Sequence, residues 1–370
     1  MTSDPEAPNP PVDDAAEDSS NGDGGWDEAE ATLGAETPVF TRAPDFAVSM
    51  ADIHAAAERL QPEITRTPLL EFPILNALVG GRVVLKLETL QLGGSFKVRG
   101  AFNRLLQLSD EEKRTGVVAW SSGNHALAIA LAARRVGTRA TIVMPHDAPA
   151  VKVFATRAQG AEVVFYHRQT EDREAIARAM CKERGAVLVP SYDDCDVIAG
   201  QGTCGLEMMQ QATALDLNLD AVLVCCSGGG LAAGVATAVK YYSPRTAVYT
   251  VEPEGYDDMA RSLSTGEVEE ANLQQHTICD ALQAPRPGEL TLPILQHFAA
   301  GGLVVSDAEV RETMRYAFSM LKVVIEPGGA AALAALLSRK LPVAGKTVAV
   351  IVSGGNVNPE FYGKVIAGRE

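Results

Sequence analysis

The sequence predicts an α/β protein with mostly parallel sheets and helices on both sheet faces. Two observations predict it. From about residue 80, apolar runs of four to seven residues rich in Val, Ile and Leu recur along the chain, as in strands buried on both faces. Each run is followed by a longer segment with helical periodicity, the order expected of strand–crossover–strand units.

The elements follow in order. "RVVLKLE" (82–88) is a strand, and "SFKVRGAFNRLLQL" (95–108) a helix opening at Ser95. "GVVAW" (116–120) is a strand, followed by the helix "GNHALAIALAARRVG", which Gly137 closes. Three strand–helix pairs come next: "ATIVMP" with "APAVKVFATRAQG", "EVVFY" with "REAIARAMCKERG", and "AVLVP" with "VIAGQGTCGLEMMQQA". The second half continues with "AVLVCC" and "GGLAAGVATAVKYY", the strand "AVYTVEP", the helices "SDAEVRETMRYAFSML" and "GGAAALAALLS", and a last strand in "TVAVIVSGG". No internal repeat is evident.

Composition bounds the function. A chain of 370 residues, 46% hydrophobic and 21% charged, has the makeup of a globular protein large enough for two domains. Residues 1–45 hold twelve acids against Arg42 alone, so about −11 of the net −15 lies in that tail. Segment 1–46 is rich in Pro, Gly, Ser and acids and poor in large apolar side chains, a composition expected to stay disordered. It lacks the basic or apolar character of a targeting peptide. No run reaches the length of a membrane span, and the body carries no basic stripe for nucleic acid. Six scattered cysteines without a C-x-x-C pair read as reduced thiols in a cytoplasmic protein, with Cys225 and Cys226 packing in a buried strand.

In such sheets ligands bind where strands end and helices begin. Four of these turns stand out: "SSGNH" (121–125), "SGGGLAAG" (227–234), "EPGGAAA" (326–332) and "SGGN" (353–356). The turn at 227 suits a phosphate, because glycines let backbone N–H groups converge at the positive end of a helix. Small residues packing a helix tightly on a strand would give the same pattern. In "SSGNH" the polar groups suit either helix capping or a ligand, though capping accounts for one of them and not four. Lys97, in "GGSFKVRGAFN", is preceded by two glycines, a serine and a phenylalanine. A desolvated amine of this kind forms Schiff bases. Lysine, phosphate turn and the serine of "VSGGN" together match the needs of pyridoxal 5'-phosphate: an amine for the aldehyde, a cradle for the phosphate and a neutral partner for the ring nitrogen.

The ordered set "GGSFKVRGAFN", "SSGNHALAIA", "VIAGQGT", "SGGGLAAG", "IEPGGAAALAAL" and "VSGGNV" resembles the threonine/serine dehydratase–serine racemase family, fold type II pyridoxal-phosphate enzymes, from about residue 48 to the C-terminus. The resemblance implies two open twisted sheets, with residues 47–107 plus 193–370 forming a large domain and 108–192 a small one. It implies that Lys97 carries the cofactor, that Phe96 packs beside the ring and that Asn124 bonds the ring hydroxyl. Ser227, Gly228, Gly229, Gly230 and Leu231 would cradle the phosphate, and Ser353 would face the ring nitrogen. Ser121, Ser122, Gly123, Asn124 and His125 would hold the substrate, a small hydroxy-amino acid. Lys97 would remove its α-proton and the β-hydroxyl would leave, giving a keto acid and ammonia. L-Threonine or L-serine is the expected substrate.

Ser122 matches the position of the second acid–base residue of serine racemase, so racemisation is an alternative activity, with helix capping the competing role. 3-Hydroxyaspartate dehydration is a further alternative. A dicarboxylate would need an extra cation, and Arg99 is expected to brace structure instead. The acidic turn "VEPEGYDDMARS" (251–262) resembles a divalent-cation site in which Glu252, the Tyr256 carbonyl and Asp258 bind Mg²⁺ or Ca²⁺; a solvated acidic face is the other reading. Three positions depart from the family pattern: Leu127, which could reshape the substrate-side wall, Ser227 and Cys195. A homodimer is expected. A nucleotide-binding α/β protein, or a cofactor binder without activity, fits the lysine, asparagine and serine set less well.

Overall fold

The computed structural model describes residues 46–148 and 150–369, and the tail expected to be disordered lies outside the described residues save Phe46. Ten strands form two sheets: β1 (Leu69–Glu71), β2 (Arg82–Leu87), β3 (Val117–Trp120), β4 (Ala140–Pro145), β5 (Glu162–Tyr166), β6 (Val187–Leu188), β7 (Ala221–Cys225), β8 (Ala247–Pro253), β9 (Ala299–Val305) and β10 (Thr347–Val352). A six-stranded sheet has the order β1-β2-β10-β7-β8-β9, and a four-stranded sheet the order β5-β4-β3-β6. Only β1, on β2, is antiparallel; all other pairs are parallel. Every strand of the smaller sheet falls within 108–192.

The continuous apolar runs became central strands. Ala221–Cys225 and five of the six residues of β10 are buried, covered on both sides by helices. The alanine- and glycine-rich helices let backbones approach closely. A Cβ on Gly234 would lie 2.5 Å from the Ile198 carbonyl oxygen and 2.8 Å from the Gly202 Cα, so the helices Cys195–Ala214 and Gly230–Tyr242 pack nearly backbone to backbone.

The sequence reading missed the helix Met50–Leu60, the short edge strand β1 and strand β9, whose "AAGGLVV" lacks a sustained apolar run. One helix begins later than expected. Ser95 forms an isolated bridge with Gly354, and Phe96 N–H donates to the Ser353 carbonyl (3.1 Å), so helical geometry starts only at Lys97.

Candidate active site

A cavity of about 380 Å³ opens where strands of both sheets end. Lys97, Ser353 and the glycine turn reach it from the ends of β2, β10 and β7, and the Ser121–His125 turn reaches it from β3. The bonds from Ser95 and Phe96 to residues 353–354 zip the approach to Lys97 onto the end of β10. This fixes the lysine at the first turn of the helix Lys97–Leu105.

The Lys97 Nζ donates to the Ser191 carbonyl (2.7 Å) and stands 5.1 Å from the centre of the Phe96 ring. It has no carboxylate partner among the described residues. Burial lowers its pKa to about 8, against a smaller opposing effect of Cys225. The site therefore holds an amine that is readily neutral and nucleophilic.

Two residues on, Arg99 is fully buried. Its Nε and Nη2 donate to Glu88, and Nη1 and Nη2 donate to Glu207, all at 2.8 Å. Lys86 donates to Glu207 at 2.6 Å and to the Thr67 carbonyl at 2.8 Å. Arg99 thus braces the helix that carries Lys97, as expected, and is not available to a substrate.

The glycine turn is tightly enclosed. A Cβ at Gly228 would fall 2.3 Å from the Tyr192 ring, and Gly229 has φ +98°, in the left-handed region that only glycine adopts readily. The N–H groups of Gly228, Gly229, Gly230 and Leu231 make no hydrogen bond among the described residues. Unsatisfied donors at a helix N-terminus are an anion site. The Ser227 side chain accepts from Ala284 N–H (2.9 Å), which ties the segment between residues 265 and 291 to this turn and accounts for a serine in that place. Cys195, another departure, occupies the first position of its helix, where a proline is equally suited.

At the end of β10 the Ser353 hydroxyl is buried and accepts from the Cys225 thiol at 3.1 Å. Burial pushes that thiol up to about 11, so it stays protonated and leaves the Ser353 hydrogen free to point into the cavity. Cys225 and Cys226 are buried, as expected of packing residues.

In the serine turn, Ser121 Oγ accepts from Gly123 N–H (3.1 Å). Ser122 caps nothing: the helix Asn124–Val136 is capped by Gly123 without a side-chain bond. His125 is buried with Nε2 on the Val189 carbonyl at 3.0 Å; burial and the Lys97 charge depress its pKa to about 3. Its ring is therefore neutral, with Nε2 engaged by Val189 and Nδ1 without a partner, while the N–H groups of Asn124 and His125 remain unbonded at the helix N-terminus. Leu127 does not line the cavity. It lies beside Gly93, so the expected effect on the substrate-side wall does not arise there.

Several cavity residues escaped the sequence reading, Glu326, Lys152, Asp280 and Arg173 among them. Glu326 is 1% exposed; its Oε1 accepts from Asn124 Nδ2 at 2.5 Å and its Oε2 has no partner. Burial and the nearby Asp280 raise its pKa to about 7, despite Lys152 and the Asn124 bond. Lys152 pairs with Asp280 at 2.5 Å. Arg173 lines the cavity and makes no ion pair among the described residues. The turn holding Glu326 was singled out for its glycines, but nothing local marks the other three.

Away from the cavity, Glu252 and Asp258 are buried at 0% and 1% exposure, and Tyr256 is buried. Both Glu252 oxygens accept backbone N–H groups, from Met259 at 3.1 Å and Ala260 at 2.7 Å. Both Asp258 oxygens lack any partner. Burial pushes Asp258 up to about 6, and burial with the Asp258 charge raises Glu252 well above the carboxylate range. The turn is thus no solvated acidic face. Among the described residues no three His, Cys, Asp or Glu side chains converge as a metal cluster, so a cation here would rely on two carboxylates and a carbonyl.

Comparison with known proteins places this geometry. An L-threo-3-hydroxyaspartate ammonia-lyase of Pseudomonas sp is 46% identical over 317 residues, 86% of this chain and 98% of that protein. A serine racemase of Schizosaccharomyces pombe is 38% identical over 311 residues, 84% and 95% of the two chains. The crystal structure of a T.th. threonine deaminase superposes with a TM-score of 0.80 at 44% identity, covering 84% of this chain and 99% of that one. Residues 60–354 match the family described as pyridoxal-phosphate dependent enzyme. With a reactive lysine, an open anion cradle and a neutral serine around one cavity, and with that match over most of its length, the chain belongs to the pyridoxal-phosphate dependent enzymes of fold type II.

Proposed function

We propose that this protein is an ammonia-lyase of small 3-hydroxy amino acids, with 3-hydroxyaspartate as its preferred substrate. The lyase reading rests on the Lys97 amine, desolvated and without a carboxylate partner, placed in one cavity with the unbonded N–H groups of the glycine turn. When bound, the cofactor acidifies the α-C–H of the amino acid it holds and accepts the resulting electron pair.

The chain's own residues do the rest. Lys97 would hold the cofactor, with Phe96 beside it. Gly228, Gly229, Gly230 and Leu231 would bind its phosphate through their unbonded N–H groups, with Ser227 fixing the turn. Asn124 would serve the ring hydroxyl, and Ser353 would be a neutral partner for the ring nitrogen. The N–H groups of Asn124 and His125, with the Ser121, Ser122 and Gly123 turn, hold the substrate carboxylate. Lys97 would take the α-proton, for which a pKa of about 8 suits neutral operation. The β-hydroxyl would then leave as water, taking up the proton that Lys97 received.

The single observation that favours 3-hydroxyaspartate over L-threonine and L-serine is Arg173, a cavity guanidinium without an ion pair among the described residues. It adds positive charge to the cavity wall, which favours a dicarboxylate and which the buried, fully paired Arg99 cannot offer. The 46% identity to a hydroxyaspartate ammonia-lyase supports the same choice. Ser122 supports a second, weaker activity: its hydroxyl lines the cavity and does not cap the helix, which favours a role in exchanging the proton that would racemise substrate. Glu252, Asp258 and the Tyr256 carbonyl are proposed to hold a divalent cation, supported by the two unpartnered Asp258 oxygens.

The test is keto-acid release from L-serine, L-threonine and the 3-hydroxyaspartate isomers, with chiral analysis of unreacted substrate, for the wild type and Lys97→Ala. The expected result is the highest kcat/KM on a 3-hydroxyaspartate isomer and none in the variant. Higher kcat/KM on L-threonine or L-serine refutes the substrate assignment, and turnover by Lys97→Ala refutes the mechanism.

A further inference from the structure

The ion pair across the cavity joins two separate walls. Lys152 belongs to the helix Ala150–Ala158, which follows β4 of the smaller sheet. Asp280 belongs to the segment between the helices Asp258–Thr265 and Thr291–Phe298 of the larger sheet's side. Both line the cavity, and the Lys152 Nζ lies 2.5 Å from the Asp280 Oδ2. The Lys152 Nζ also abuts the serine turn, 3.3 Å from where a Gly123 Cβ would stand.

The two partners are held differently. The backbone around Asp280 is pinned on both sides: the Thr277 hydroxyl donates to Asp307 at 2.6 Å and Ala284 N–H donates to Ser227 at 2.9 Å. The Asp280 carboxylate itself is paired with Lys152, and its side chain is 44% exposed, against 14% for Lys152. Asp280 can turn to water at small cost, whereas the Lys152 ammonium has little water to turn to. A buried-side cation that keeps one carboxylate and can exchange it for another is a carboxylate receptor.

We propose that Lys152 is a specificity-determining residue, and that Asp280 occupies it as a stand-in for the distal carboxylate of a dicarboxylate substrate. The inference rests on the hydroxyaspartate reading above. Binding exchanges one carboxylate for another on the same ammonium, so the charge in the cavity is conserved and Asp280 is released to solvent. A substrate with a neutral side chain offers no exchange and leaves the pair intact. Asp280 thereby competes with the dicarboxylates that Lys152 attracts. It also places a negative charge beside Glu326, the buried acid bonded to Asn124, so the exchange keeps that acid's surroundings unchanged.

The test uses the cofactor-loaded full chain, with Lys152→Gln, Lys152→Arg and Asp280→Asn. Two quantities are read: the ratio of kcat/KM for 3-hydroxyaspartate over L-serine, and the Kd of succinate by titration calorimetry. Loss of a charge-assisted hydrogen bond corresponds to roughly tenfold or more. Lys152→Gln is expected to lower the ratio and weaken succinate by about that factor, Lys152→Arg to restore much of both, and Asp280→Asn to tighten succinate. Equal losses on both substrates with unchanged succinate binding would overturn the proposal, as would weaker succinate binding in Asp280→Asn. If the wild type does not process 3-hydroxyaspartate at all, the substrate reading fails, and succinate binding alone still decides whether Lys152 is a carboxylate receptor.

Discussion

Replacing Glu207 with alanine tests how firmly the lysine-bearing helix is held. Glu207 accepts three charged hydrogen bonds: one from Lys86 at 2.6 Å and two from Arg99 at 2.8 Å. Together with Glu88 these groups form a buried cluster of two cations and two anions, with side-chain exposures of 2% or less. Removing one anion leaves a net positive charge away from water. Breaking a buried pair in this way costs about 3–5 kcal/mol, which for a folded body of this size lowers Tm by roughly 4–8 °C. Glu207→Gln, which keeps shape and acceptor but loses the charge, should fall between. Scanning calorimetry of the holoenzyme measures both. A loss below about 1 kcal/mol for Glu207→Ala would refute the bracing role and show that water or Glu88 alone satisfies Arg99.

The same cluster has a pH signature. Burial alone would raise Glu88, but the Arg99 charge, its hydrogen bonds and Lys86 outweigh that and lower its pKa. An acid with a lowered folded pKa contributes stability above its unfolded value, near 4.3, and loses it as pH falls through the folded value. The cluster should therefore weaken only in acid.

Three further outcomes are expected. In cofactor-stripped protein, reloading with pyridoxal phosphate should speed up about tenfold per pH unit below 8 and level off above it, because only the neutral Lys97 amine reacts; a rate still climbing at that slope to pH 10 would contradict the lowered pKa. Gly228→Ala should weaken cofactor binding at least tenfold by equilibrium titration, because the new Cβ must displace the Tyr192 ring from 2.3 Å; wild-type affinity would show that the turn does not hold the phosphate. The third concerns Asp258. With its folded pKa raised to about 6 from near 3.9 unfolded, chelator-treated protein should lose stability as pH rises through that window. The full cost of about 3 kcal/mol is then in place above it. Ca²⁺ or Mg²⁺ should restore Tm in the wild type and not in Asp258→Asn, and an equal response in both would remove the cation from this site.

Much of the site was legible because its parts are local patterns. A strand running into a glycine-rich turn and then a helix marks either converging backbone N–H groups or tight packing, so Gly228, Gly229 and Gly230 could be singled out directly, and the unbonded N–H groups of the fold favour the first. Lys97 and Ser353 were likewise marked by their immediate neighbours. Buried parallel strands announce themselves as apolar runs, which is why β2, β7 and β10 were found and the glycine-broken β9 was not.

The pairings, by contrast, came from the folded chain. Asn124 meets Glu326 across 202 positions, Lys152 meets Asp280 across 128, and Arg99 meets Glu207 across 108. None leaves a local trace, because a charged side chain in sequence looks the same whether it ends in water or against a buried partner. Burial converts those residues into chemistry: it makes Glu326 an acid near neutrality, leaves Asp258 without partners and brings Lys97 within reach of neutral pH. Local order along the chain marked which turns line the cavity; folding settled which charges surround it, because solvent exclusion is a property of the assembled walls.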